Sequence, residues 1–461
     1  MDANRKNQSG MSAKERKASL SLAGIFCLRM LGLFLILPVF ALYAEQLDEV
    51  TPLLIGAAIG AYGLTQAVLQ IPFGMLSDRI GRKPVIIIGL LIFAVGSVVA
   101  AMADTIWGII LGRLLQGSGA IAAAIMALAA DLSREEHRTK MMATIGISIG
   151  MAFTVSLILG PMLNSVIGVS GIFWVTALLA LGGVLVVIFI VPTPQNSQFH
   201  RDTEPVPAQF KSVLSNPNLL RLDFGILILH MVLTALFLSF PLALRDQGLA
   251  VADHWHVYLP VMTLAMGAMV PFIIIAEKQR KMKQIFLGAI SILALSLFGL
   301  YFGSDSFYGL VAGLFFFFTA FNLLEASLPS LISKIAPAES KGTAMGVYSS
   351  SQFIGAFLGG IIGGWVHSAL GLEAVFLAAA LGVLLWLIAA LGMAKPSYLT
   401  NTLLRVGTVD ESEVSQLVDR LLALPGVEEA VVIAEEGIAY LKVDNKVLDQ
   451  DALDDFAAHN A

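Results

Sequence analysis

Stretches of twenty or more consecutive apolar residues, such as 84–103 and 173–192, recur along this chain. About 20 apolar residues rising about 1.5 Å each cross the roughly 30 Å hydrocarbon core of a bilayer. A water-soluble helix needs only one apolar stripe and keeps its other faces polar. Composition agrees, because 57% of the 461 residues are hydrophobic and 13% are charged, against about 25% charged in a typical soluble domain. Twelve runs can be counted, at 19–43, 52–77, 84–103, 106–131, 139–167, 171–191, 219–245, 255–276, 284–302, 306–334, 342–367 and 372–394. Backbone groups facing lipid must be satisfied within a helix or a closed barrel. Barrel strands are about ten residues long and alternate, and these runs do neither. The expected fold is an all-α membrane protein with twelve transmembrane helices.

Orientation follows from lysine and arginine in short loops, which favour the cytoplasmic side. With an even number of spans both termini share one side. That side holds Arg5, Lys6, Lys14, Arg16 and Lys17, then Arg79, Arg82 and Lys83, then Arg134, Arg138 and Lys140. Further along it holds Arg201, Lys211 and Arg221, the group Lys278, Arg280, Lys281 and Lys283, and Lys334, Lys341 and Lys395. The opposite loops hold Arg245 among acids such as Glu45, Asp48, Glu49, Asp104 and Asp253. Both termini are therefore expected in the cytoplasm. Residues 1–17 are polar and the first apolar run already has spanning length, so no cleavable leader is expected. Cys27 is the single cysteine, which rules out a disulfide or a cysteine-built metal site within one chain.

The polar, proline-containing stretch 192–218 divides the spans six and six. The halves resemble each other. Gly160, Ser165, Gly168 and Phe173 match Gly363, Ser368, Gly371 and Phe376 at a constant offset, and the loop Asp78–Pro84 has a degenerate counterpart in Glu277–Lys283. Duplicated six-span halves suit a transporter that rocks around a site near the bilayer midplane. The expected units are a cytoplasmic N-terminus 1–18, a first bundle 19–191, a linker 192–218, a second bundle 219–394 and a tail domain 401–461.

Between spans two and three stands Gly74-Met75-Leu76-Ser77-Asp78-Arg79-Ile80-Gly81-Arg82-Lys83-Pro84. This resembles the G-x-L-x-D-R-x-G-R-K signature of the major facilitator superfamily and sits in the loop where that family carries it. Gly81 permits a sharp turn between long helices, and Gly74 allows a neighbouring helix to approach. The resemblance implies that Gly74, Asp78, Arg79, Gly81 and Arg82 form a conformational latch with Asp131 as ionic partner. Span four carries Gly112-Arg113-Leu114-Leu115-Gln116-Gly117, similar to the family's R-x-x-Q-G element, which implies proton coupling through Arg113 and Gln116. In span five, Gly146, Gly150 and Gly160-Pro161 resemble the glycine–proline element of drug/proton antiporters and imply a flexing helix. Asn164 and Ser165 replace the glycines that follow the proline in that pattern.

An ionisable residue deep in a span costs about 2.5–3.5 kcal/mol on insertion scales and marks a candidate site. Arg29 in span one, His230 in span seven and Glu325 in span ten qualify. Gln66 and Gln70 share one face of span two, and Asn322 and Glu325 one face of span ten. His230 can titrate near neutral pH, and a desolvated Glu325 can carry a proton. His230 reads equally well as a neutral hydrogen-bonded histidine, and Glu325 as a fixed partner of a cation. There is no G-x-x-x-x-G-K-[ST] nucleotide loop, so an ion gradient is the expected energy source.

Residues 401–461 hold four basic against thirteen acidic residues, a balance of −9 where the whole chain carries −5. Strand (402–409), helix (412–424), strand (427–434), strand (438–443) and helix (450–459) suggest a ferredoxin-like α/β domain lacking its last strand. Its acidity speaks against nucleic acid. It begins about seven residues after span twelve, so it should lie against the basic loops around Arg134–Lys140 and Lys278–Lys283, whose opposite potential attracts it. A twelve-span bundle with such a tail is similar to a group of bacterial inner-membrane, proton-driven drug-type exporters, and that resemblance includes residues 325–348. It implies a monomeric exporter in the inner membrane, exchanging protons for small amphipathic molecules, with no enzyme activity, cofactor or metal. A proton-coupled metabolite or sugar symporter, or a membrane sensor signalling through its tail, are the alternatives.

Overall fold

The computed structural model describes residues 10–194, 206–337 and 340–394 of the membrane part. Of the tail it describes 399–407, 410, 413–434, 437–444, 447–449 and 452–453. The central part of the expected linker and most of the expected last helix (450–459) lie outside the described residues.

Among the described residues, eleven helices are long and apolar enough to cross a membrane. One of them, Glu135–Phe189, has 55 residues. At about 1.5 Å per residue it would be nearly three times as long as a bilayer core is thick. It doubles back at Gly168, whose φ of 66° and ψ of 176° belong to no helix, and so supplies spans five and six. The other spans are Ala13–Phe34 with Leu37–Ala44 (span 1), Pro52–Ile80 (2), Arg82–Ala101 (3), Ile106–Ser118 with Ala122–Asp131 (4), Pro217–Asp246 (7), Trp255–Lys278 (8), Met282–Phe302 (9), Phe307–Ile335 (10), Lys341–Leu370 (11) and Leu372–Leu391 (12). Three spans entered from the side opposite the termini, 2, 4 and 10, open on a hydroxyl cap. Thr51, Thr105 and Ser306 accept from the amides of Leu54, Gly108 and Gly309, satisfying donors that a helix start leaves open.

Two runs that read as continuous are interrupted. Span 1 breaks before Leu37, because Pro38 has no N–H to donate to Phe34 and its ring crowds that turn. Span 4 breaks between Ser118 and Ala122, with Gly119 at ψ 56°.

The duplication is visible in backbone conformation. Gly371, between spans 11 and 12, adopts φ 94° and ψ 170°, close to Gly168 between spans 5 and 6. Gly81, between spans 2 and 3, has φ 99°, and its counterpart between spans 8 and 9, Arg280, also has positive φ at 53°. Each of these loops also sends a lysine to the end of the last helix in its half. Lys83 Nζ donates to the carbonyl of Val191 at 2.6 Å, and Lys283 Nζ donates to that of Met393 at 2.5 Å.

The two halves meet tightly on the side opposite the termini. Gly56 and Gly360 face each other so closely that a methyl on either would overlap the other's carbonyl. Gly60 lies against the backbone of Phe357, and Gly364 against Pro52 and Leu53. Arg245, at the end of span 7, pairs with Glu45, at the end of span 1. This arrangement closes the far side.

In the tail, β1 (Thr400–Arg405), a helix (Val414–Leu422), β2 (Val427–Ile433) and β3 (Ile438–Val443) form an antiparallel sheet in the order β1-β3-β2. That order is the one a ferredoxin-like βαββ unit makes, with no fourth strand among the described residues. Leu417 and Leu421 of the helix close the core against Ala439, Leu441 and Val443.

The glycine contact on the far side is expected to control closure. Gly360→Val should cost the closed arrangement about 1–3 kcal/mol through overpacking, roughly 5- to 150-fold in population. Spin labels on the far-side ends of spans 1 and 7 should then report longer distances than in the unsubstituted protein.

Candidate functional site

At the loop signature, the positive φ of Gly81 turns the chain so that Arg82 begins span 3 facing inward. Its guanidinium pairs with Asp78, donates to Ser77 Oγ at 2.9 Å and reaches Asp131 Oδ2 at 3.4 Å. The Arg82 side chain is 3% exposed and that of Asp131 is not exposed at all. Beside them a methyl on Gly74 would touch Ala123 of span 4 at 3.0 Å. Arg79 is exposed. These contacts join spans 2, 3 and 4 of the first bundle.

Arg29 and Arg113 lie sealed within the same bundle at 1% and 2% exposure. Arg29 donates to Gln66 Oε1 at 2.7 Å and to the carbonyl of Gly119 at 2.9 Å. That carbonyl lies at the break in span 4, so a guanidinium replaces a missing helical bond. Arg113 donates to the carbonyls of Ala58 and Ile59 and, at 2.9 Å, to Gln116 Oε1. Gln116 donates in turn to Ser97 Oγ at 2.8 Å. Both arginines stand against the ring of Tyr62, 5.8 Å and 5.3 Å from its centroid. Arg113 in the first bundle and Glu325 in the second share no hydrogen bond or ion pair among the described residues.

The second bundle contains the other polar group. His230 Nε2 lies 3.2 Å from Glu325 Oε2, and Gln352 Nε2 lies 2.7 Å from His230 Nε2 and 3.3 Å from Glu325 Oε1. Spans 7, 10 and 11 each contribute one side chain. Glu325 is 38% exposed at its side chain, so it is not desolvated as its mid-span position suggests. The imidazole nitrogen it shares with Gln352 carries either a proton or a lone pair. One tautomer and amide orientation suits a charged Glu325, and another suits a protonated one. Asn322 shares the helix but not the cluster, and its buried Nδ2 has no partner among the described residues.

Gly146 and Gly150 lie on an open face with nothing within 4 Å of an added methyl, whereas Gly160 presses against the carbonyl of Leu35 and Pro38 at the break in span 1. Pro161 beside it is buried. Sequence reasoning missed Gln352 and the buried Asp223. The polar run Ser349-Ser350-Ser351-Gln352 within span 11 is the signal for the first. An acid six residues inside the start of span 7 is the signal for the second.

A model of the Major Facilitator Superfamily matches residues 22–359 and 283–404. This chain belongs to the major facilitator superfamily. A model of the YajR YAM domain matches residues 408–457, the acidic tail. The inner membrane transport protein YajR of Escherichia coli (strain K12) is 48% identical over 442 residues, covering 96% of this chain and 97% of that one. Tetracycline resistance protein, class B, of Escherichia coli is 30% identical over 186 residues, 39% of this chain and 45% of that one. Among solved structures, a bacterial homologue of the human lysosomal transporter Spinster, in an inward-facing and occupied conformation, superposes with a TM-score of 0.69. It is 14% identical and covers 83% of this chain and 97% of that one. The human organic anion transporter MFSD10 superposes at 0.63 with 18% identity, covering 82% of this chain and all of that one. The superfamily member described here is thus a membrane-spanning transporter of the YajR-like kind.

Removing Arg82 takes the guanidinium away from two carboxylates, one of them fully buried. Arg82→Ala should destabilise the first bundle by up to about 3–5 kcal/mol, while Asp131→Asn, which leaves Arg82 still paired with Asp78, should cost less. Thermal unfolding of the detergent-purified variants measures both, and equal midpoints would contradict this assignment.

Proposed function

We propose that this transporter is a proton-coupled exporter of small amphipathic molecules that works by alternating access in a bacterial inner membrane, with both termini in the cytoplasm. The carrying observation is the His230–Glu325–Gln352 cluster, a histidine and an acid in hydrogen-bond contact with one amide, built from three spans and partly exposed at Glu325. A carboxyl group and an imidazole in contact can pass a proton between them. The identity shared with the inner-membrane protein YajR supports the location, and the partial likeness to a tetracycline resistance protein supports export of amphipathic compounds. On this reading the arrangement with its far side closed faces the cytoplasm, ready to load cargo. The latch role of Gly74, Asp78, Arg79, Gly81, Arg82 and Asp131 is part of the proposal, as are coupling roles for Arg29, Arg113, Gln116 and Asn322. Flexing is assigned to span 5 at Gly160 and Pro161, where it bears on the break in span 1, with Gly146 and Gly150 leaving the rest of that helix unobstructed. The partners are protons, a small molecule and lipid, and the working unit is a monomer.

The tail supplies regulation. Arg280, in the loop between spans 8 and 9, donates to both oxygens of Asp444 at 3.0 and 3.2 Å. An exposed pair contributes at most about 1 kcal/mol, roughly fivefold in a population ratio. The tail therefore docks reversibly.

Two measurements test this reading. Glu325→Gln mimics the protonated acid, so in reconstituted vesicles it should abolish ethidium movement driven by an imposed pH gradient while leaving ethidium binding intact. Wild-type flux in that variant would remove Glu325 from the coupling step. Asp444→Arg should free the tail, lengthening label distances from the loop at Arg280, and the double exchange with Arg280→Asp should shorten them again.

A further inference from the structure

Arg29 and Gln66 hold hydrogen-bonding capacity that the fold leaves unused. On the Arg29 guanidinium, Nη2 donates to Gln66 Oε1 and to the carbonyl of Gly119. Its Nε and Nη1 have no acceptor among the described residues, although a guanidinium carries three N–H bonds on those two nitrogens. Gln66 is fully enclosed at 0% exposure. Its Oε1 accepts from Arg29 Nη2 at 2.7 Å and from the Tyr62 hydroxyl at 3.3 Å, which fixes the orientation of the amide. Nε2 is then turned away from both, and it too has no acceptor among the described residues. The unused donors therefore sit on two side chains that are bonded to each other.

Charge sharpens the demand. A guanidinium stays protonated in a protein, and Arg113 brings a second one to the same Tyr62 ring. Arg113 is served by the carbonyls of Ala58 and Ile59 and by Gln116 Oε1, but those acceptors are neutral. The other neighbour of Arg29 is the ring of Phe93, 5.7 Å from the guanidinium carbon. Every acid of the first half stands in a loop or in the first or last turn of its helix. In the second half Glu325 is bonded to His230 and Gln352. Among the described residues no carboxylate bonds to Arg29 or Arg113. Two positive charges thus share an apolar bundle, where a buried charge is ordinarily paired with one of opposite sign.

The donors lie where the halves meet. Tyr62, Gln66 and Gln70 follow one another at intervals of one turn along a single face of span 2. Tyr62 touches the ring of Phe353 of span 11, with centroids 6.1 Å apart. Gln70 Nε2 donates to Ser350 Oγ of span 11 at 3.0 Å, and that hydroxyl donates to the carbonyl of Ala67 at 3.2 Å. Gln66 is therefore placed between two residues that both bear on the second half. With the far side closed, span 11 covers this face. Drawing span 11 away from span 2 lifts Phe353 from Tyr62 and uncovers it.

We propose that Arg29 and Gln66 form a seat for one small anion on the seam between the two halves, covered by Phe353 and filled when spans 2 and 11 part. The occupant must bring negative charge and lone pairs to a guanidinium and an amide at once. The carboxylate of an acidic cargo meets this requirement, and so does an inorganic ion such as chloride. The seat needs neither proton coupling nor a direction of transport, so it stands apart from the exporter reading.

Thermal unfolding of the full chain in detergent, with ionic strength held constant by sodium isethionate, tests the seat using sodium chloride and sodium benzoate as probes. The midpoint should rise saturably with at least one probe, by about 2–4 °C at ten times its dissociation constant. Gln66→Glu places a carboxylate against Arg29. It should raise the midpoint in probe-free buffer and abolish the response to the probe, whereas simple damage to the fold would lower the midpoint. Arg29→Lys keeps the charge but loses the planar fork, and should raise the half-saturating probe concentration at least tenfold. A response to benzoate at lower concentration than to chloride assigns the seat to the acidic group of a cargo, and the reverse order assigns it to an inorganic ion. Wild-type midpoints unmoved by both probes, or an undiminished response in Gln66→Glu, would overturn the proposal. Should Gln66→Glu unfold early, Arg29→Lys decides, and half-saturation equal to wild type would overturn the proposal as well.

Discussion

Within a bilayer core no water is available to satisfy a backbone carbonyl released from its helix or a charge placed among alkyl side chains. The first bundle meets this constraint with arginine. Arg29 reaches the carbonyl freed where span 4 breaks, and Arg113 covers two carbonyls of span 2. Both guanidiniums rest on Tyr62, whose ring face attracts cations more strongly away from water. The same ring touches Phe353 of span 11 across the boundary between the bundles. The groups that make a broken span tolerable are therefore built into the surface on which the two halves bear.

The second bundle meets the constraint differently. Its buried polar groups include Asp223, His254, Tyr258 and Tyr348 beside hydroxyls such as Ser239, Ser296 and Thr319, and no arginine is among them. Two fixed cations in one half face titratable groups in the other.

Much of the fold was legible in the sequence because membrane thickness and backbone satisfaction leave few solutions to runs of this length. The repeated Gly168 and Gly371 could be matched from sequence alone, and both hold the same non-helical conformation. Pairing of Arg82 with Asp131 was legible because a known loop pattern places the one near the end of the helix that bears the other. The breaks in spans 1 and 4 were not, since hydropathy averages over them and only Pro38 marks the first. Glu325 read as a desolvated acid because position along a helix is visible in sequence and rotation about it is not. Asp223 was overlooked for a related reason. Near the start of a span a carboxylate reads as a group at the water boundary, and only the packing of span 11 against it reveals that it is enclosed.

Gly81 and Arg280 occupy equivalent turns in the two halves, and both have positive φ. Glycine adopts that conformation freely, whereas for arginine it costs roughly 1–2 kcal/mol. In exchange, the second half gains a side chain that projects from the turn and grips Asp444 of the tail. The grip and the strain are of similar size and opposite sign, so the tail holds a turn that is already under tension. Replacing Arg280 with glycine would relax that turn and, by the same change, remove the side chain that pairs with Asp444.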